Sequence, residues 1–92
     1  MTTKQKQAFK AQAHKLKPVV LIGDKGLSEA VIAEIDAALL AHELIKVKIA
    51  GAERDVRRTI TDEICQKSAC ELVQIIGNIS VLYRLNPQKK KK

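Results

Sequence analysis

The stretch PVVLIGDKGLSEAVIAEI, residues 18–35, decides the fold. A β-branched run follows Pro18 and stops at Gly23. It reads as a short strand, apolar throughout and therefore expected to be buried on both faces. Two polar residues separate Gly23 from Gly26, and Ser28 then offers a helix N-cap with Glu29 in the first turn. Leu27, Val31, Ile35 and Leu39 mark the apolar face of the helix that follows, with Glu34 and Asp36 on its outside. His42, a cation site in the last turn, closes it. A strand, a glycine turn and a helix open a β-α-β unit. ELIKVKI, residues 43–49, completes it, with Ile45, Val47 and Ile49 on one face and Leu44, Lys46 and Lys48 on the other.

Upstream, residues 3–15 read as a helix on which Phe9, Ala13 and Leu16 share one face. Lys6, Lys10 and His14 form a basic stripe beside it, and Pro18 disfavours helix at Lys17. Downstream, Gly51 breaks the strand, and a third helix from about Glu53 carries Val56, Ile60 and Ile64 on one face. ELVQII and ISVLYRL are strands joined by Gly77-Asn78, a two-residue hairpin signal. The order is α-β-α-β-α-β-β. Two consecutive β-α-β units imply right-handed crossovers and parallel strands, to which the hairpin adds an antiparallel pairing. The expected architecture is a mixed α/β (α+β) fold: one four-stranded mixed sheet with packed helices, in a single domain over residues 1–85. NPQKKKK, residues 86–92, reads as a solvated basic tail.

Composition narrows the function. Apolar residues make up 46% of the 92, but aromatics only 2%, so the core must be aliphatic. The net charge is +7, and it is concentrated at the ends: Lys89–Lys92 in the tail, and six lysines against Asp24 in the first 25 residues. Such an excess favours polyanions, nucleic acid before anionic membrane. No apolar stretch approaches the ~20 residues of a membrane span, and MTTKQKQAFK has no apolar signal core. Cys65 and Cys70 make no disulfide framework, which suits a reducing, cytoplasmic setting.

The two glycines fit neither the G-x-G-x-x-G dinucleotide fingerprint nor a P-loop. They do allow close approach of another backbone, next to a helix N-terminus and the charge of Lys25. That combination suits a sugar–phosphate chain, although the Asp24 carboxylate would repel phosphate unless it points away. The plainer alternative is a turn that needs glycine for positive φ, with no ligand implied.

TKQ at 3–5, AHKLKPVVLIG at 13–23, Gly26-Leu27, HELIKVKI at 42–49 and IGNISVLYR at 76–84 lie in order along the chain. Together these blocks resemble the CRM domain family (chloroplast RNA splicing and ribosome maturation), particularly its single-domain bacterial YhbY-like members. The resemblance implies a KH-like fold similar to the C-terminal domain of bacterial translation initiation factor three. It also implies RNA binding through a GxxG loop, which falls here on Gly23, Asp24, Lys25 and Gly26. Bacterial single-domain members are associated with precursors of the large ribosomal subunit, so ribosomal RNA is the implied partner. Asn78 stands where relatives often carry a basic residue.

Lys4, Lys6, Lys10, Lys15 and Lys17, with His14, are candidates for a phosphate-tracking surface beside that loop. Lys46 and Lys48 either contact RNA or protect an edge strand, and Arg84 joins the candidates as part of a family block. Arg54, Arg57 and Arg58 lie among Glu53, Asp55 and Asp62 and read as a self-paired face, with Glu53–Arg57 at i,i+4. The C-x₄-C spacing matches no zinc motif, and no catalytic constellation assembles; His42-Glu43 is the only adjacent acid–imidazole pair. The expectation is a monomeric, non-catalytic RNA-binding protein with no cofactor, metal or small-molecule substrate. A general DNA binder and a protein-interaction module are the alternatives.

Overall fold

The computed structural model describes residues 2–23 and 26–86. Helix α1 (Thr3–Ala13) is started by a reciprocal cap: Gln5 N–H donates to Thr2 Oγ1 at 3.1 Å, and Thr2 N–H to Gln5 Oε1 at 2.9 Å. Strand β1 (Val20–Ile22) leads to α2 (Glu29–His42), where Ser28 Oγ accepts from Val31 N–H at 3.2 Å, as the sequence predicts. Strand β2 spans Leu44–Ile49, and α3 spans Arg54–Ser68 and ends at Ala69 in the left-handed region, φ 51°. Strands β3 (Glu71–Ile76) and β4 (Ile79–Tyr83) form the hairpin, with Gly77 at φ +58° in its turn.

The sheet order is β1-β2-β4-β3. β1 pairs parallel to β2, and β4 runs antiparallel to both its neighbours. β2 and β3 therefore run the same way, as the second β-α-β unit requires, but β4 lies between them. A register shift between Leu72 and Gln74 bulges β3 at the sheet's edge.

Each sheet face has its own core. Under α2 and α3, Val20, Ile22, Ile45, Val47, Ile49 and Leu82 pack with Ile35, Leu39 and Ile64. Each such fully buried aliphatic contributes roughly 1.5–3 kcal/mol. Within this layer the Thr61 and Ser80 hydroxyls, both buried, satisfy each other at 2.7 Å. Under α1 a smaller cluster joins Ala13, Leu44, Val73 and Val81 to Phe9 and Tyr83. Phe9 and Tyr83, the chain's two aromatic residues, stack on each other with centroids 4.1 Å apart, pinning α1 to the sheet.

Four sequence expectations need correction. β1 is an edge strand with only one buried face: Val20 and Ile22 are covered, while Val19 and Leu21 are exposed. α1 stops at Ala13 rather than residue 15, leaving Leu16 past its end and partly exposed. Val56 is exposed, because the inward face of α3 runs through Thr61, Ile64 and Ser68. The tail does not begin at Asn86: its N–H donates to Glu43 Oε2 at 2.7 Å and its Nδ2 to Leu40 O at 2.9 Å. The basic part of the expected tail, 87–92, lies outside the described residues. No described helix is long and apolar enough to cross a membrane.

Candidate nucleic-acid interface

α1 covers the part of its sheet face around Leu44, Val81 and Tyr83. The strand register shows what it leaves open. Leu21 pairs with Lys48, Lys48 with Ile79, and Ile79 with Ile76, so one row crosses all four strands. Leu21 is 62% exposed and Ile76 51% exposed, and Lys48 between them is exposed as well. The row lies at the end of the sheet where β1 runs into Gly23 and β3 into Gly77.

The basic stripe of α1 meets this row. Lys10 and His14, one turn apart, line a depression of about 210 Å³ with Lys46, Gln74 and Ile76. Lys46 Nζ also donates to Leu16 O at 3.1 Å, which ties β2 to the turn after α1. Because β2 is a central strand, Lys46 and Lys48 are not edge-protecting charges. The rest of the lysine set is dispersed. Lys4 and Lys15 are exposed, Lys17 borders an apolar hollow with Leu16, Val19 and His42, and Lys6 faces a different cleft.

The two glycines are not equivalent. Gly26 N–H donates to Gly23 O at 3.0 Å, and Gly26 sits at φ +73°, where any side chain would be strained. This glycine is explained by the turn. Gly23 is exposed and outside the left-handed region, and a Cβ built on it would meet nothing within 4 Å. Neither backbone conformation nor internal packing requires glycine there. Just beyond, the first amides of α2 have no intrahelical acceptor. Asp24 and Lys25 lie outside the described residues.

Arg84 is removed from the candidate contacts. Its Nη1 reaches Asp36 Oδ1 at 2.5 Å and Ser68 O at 2.9 Å, and its Nη2 reaches Asp36 O at 3.1 Å. The guanidinium thereby ties β4 to α2 and to the end of α3. The arginines of α3 are only partly self-paired. Arg58 pairs with Asp62 at 3.2 Å, but Arg57 donates to Ala52 O instead of forming the expected pair with Glu53. Glu43 Oε2 accepts from the Asn86 N–H at 2.7 Å, which ties the end of α2 to the segment after β4. No group of three or more His, Cys, Asp or Glu side chains placed to hold a metal ion occurs among the described residues. The Cys70 thiol donates toward Cys65, which lowers the Cys65 pKa, while that bond and burial raise that of Cys70. Leu21, Ile76 and Gln74 escaped sequence reasoning, because their exposure follows from strand order and from how far α1 reaches.

The chain is similar to known proteins in sequence and in fold. The CRS1 / YhbY (CRM) domain description matches residues 1–84. The chain is 50% identical over 91 residues to a Pseudomonas aeruginosa protein named as a probable RNA-binding protein, covering 99% of this chain and 88% of that one. It is likewise 50% identical over 90 residues to a Haemophilus influenzae RNA-binding protein, covering 98% and 91%. The solution structure of a Staphylococcus aureus protein described as a candidate RNA binder superposes with a TM-score of 0.85 at 34% identity, covering 98% of this chain and 94% of that one.

Proposed function

The chain belongs to the CRS1/YhbY (CRM) domain family, and from that premise we propose that it is a non-catalytic RNA-binding protein acting through the open sheet face and the Gly23–Gly26 loop. Gly23 carries the reading: a glycine that the fold itself does not need leaves room for a ligand backbone. Lys10, Lys46 and Lys48 neutralise phosphates beside it, His14 offers a hydrogen-bond donor, and Lys25 adds a charge within the loop. Leu21, Ile79 and Ile76 offer aliphatic surface to ribose and base faces, since both aromatics are consumed in the core. The partner is structured ribosomal RNA in a precursor of the large subunit, bound by a cytoplasmic monomer; that identification rests on the family resemblance.

The test is binding of an RNA hairpin and of duplex DNA of equal length across a salt series. It compares the full chain, a chain ending at Gln88, and Lys25→Glu. The hairpin should be preferred with or without the last four lysines, and Lys25→Glu should weaken it. Binding that disappears with the tail and ignores Lys25 would leave only a sticky polylysine. Salt-independent behaviour would turn the exposed Leu21–Ile76 row into a protein-docking surface.

A further inference from the structure

A second basic cleft lies around the β3 edge from this face. Lys6, Arg54, Arg57 and Arg58 line it with a single carboxylate, Asp55, above β3 residues 72–75, enclosing about 750 Å³. These cations come from two elements distant in sequence, the start of α1 and the first turns of α3. Converging four cations on one carboxylate is electrostatically unfavourable unless an anion shares the space.

Their partners leave that role open. Neither Lys6 nor Arg54 forms an ion pair among the described residues, and the Arg58–Asp62 pair is exposed on both sides. Arg57 gives Nη1 to Ala52 O, and its Nε is buried with no acceptor among the described residues. Arg57 therefore adds charge to the hollow, while the exposed Arg54 and Arg58 guanidiniums are open to a phosphate oxygen, which arginine's planar fork can hold bidentately. β3 is an edge strand, bulged at Val73, so its outer side carries no partner strand. The cleft is also continuous with the first face. Gln74 borders both this cleft and the Lys10–His14–Lys46 depression, and Lys6 lies one turn from Lys10 on α1.

We infer that the cleft seats a second stretch of RNA phosphate backbone. The protein then grips folded RNA at two places around the β3 edge rather than one strand along one face. This rests on the RNA-binding reading above and extends it to a preference for structured RNA. An acidic peptide strand added to the β3 edge is the competing occupant, and the track shared through Gln74 favours RNA.

The experiment uses the full chain and two probes: an RNA hairpin with a helical stem, and a single strand of its loop sequence. Arg54→Gln/Arg58→Gln changes two exposed residues, and Lys6→Gln supplies a variant on a different element; thermal melts confirm folding. The double variant should lower the log–log salt slope for the hairpin by about 1.4–1.8, and its affinity at 0.1 M salt roughly 25- to 60-fold. Lys6→Gln should give about half that slope change, and single-strand binding should hardly move. An unchanged hairpin slope in both folded variants would overturn the inference, as would equal losses for the two probes. If the parent chain binds neither probe, the RNA reading itself falls and takes this one with it.

Discussion

Arg84→Ala separates an arginine that holds the fold from one that touches RNA. The side chain is 18% exposed and joins three elements through the Asp36 carboxylate, Asp36 O and Ser68 O. Asp36 is 51% exposed, so solvent screens the ion pair and its share is at most about 1 kcal/mol. Ser68 O belongs to the last turn of α3, where carbonyls lack intrahelical donors, so losing its partner costs about 1–2 kcal/mol. The backbone bond from Arg84 N–H to Glu43 O survives the substitution. The total is about 1–3 kcal/mol, which in a chain of this length lowers Tm by about 4–24 °C. Arg84→Lys keeps the charge but not the fork and should recover less than half of that. Circular-dichroism melts read the stability, and RNA titration well below Tm reads the binding. Melts within about 2 °C of the parent, with RNA affinity down about tenfold, would refute the reasoning and return Arg84 to the binding surface.

Three further outcomes follow from single geometries. Gly26→Ala should cost about 1–2 kcal/mol in denaturant unfolding, because φ +73° is left-handed although the space beside it is open. Thr61→Val leaves the buried Ser80 hydroxyl without its 2.7 Å partner and should cost about 1–3 kcal/mol, whereas adding Ser80→Ala should recover part of the loss. Cys65, its pKa lowered by the Cys70 thiol, carries more thiolate at pH 8 than an ordinary cysteine; alkylation followed by mass spectrometry should find it modified before Cys70, and Cys70→Ala should slow it.

What was legible in the sequence was local. The Gly77-Asn78 hairpin, the Ser28 cap and the alternation of Ile45, Val47 and Ile49 each depend on neighbours a few residues away, and each appears where the pattern places it. What depended on strand order was not legible. Nothing in VVLI says that β1 lies at an edge, so the exposure of Leu21 and the open row beside it emerge only from the strand pairing and from how far α1 reaches. Pairing with β1 on one side and β4 on the other makes β2 central and removes the edge-protecting role of Lys46 and Lys48. The α1 stripe could be read from spacing, but its division between two clefts could not, because that depends on where the helix crosses the bulged strand. Arg84 misled because its acceptors are brought near by tertiary packing, and Arg57 because a carbonyl five residues back, just before the α3 cap, accepts in place of Glu53.

The central claim is that RNA backbone comes close to a glycine the fold does not require. RNA-hairpin affinity of Gly23→Ala, measured beside its melting temperature, tests it most directly. The added methyl meets nothing within 4 Å and imposes no left-handed strain, so Tm should stay at the parent value. Affinity should fall about tenfold, a loss of about 1.4 kcal/mol. Unchanged affinity in a variant of unchanged stability would contradict the account, because RNA would then not approach the loop at Gly23.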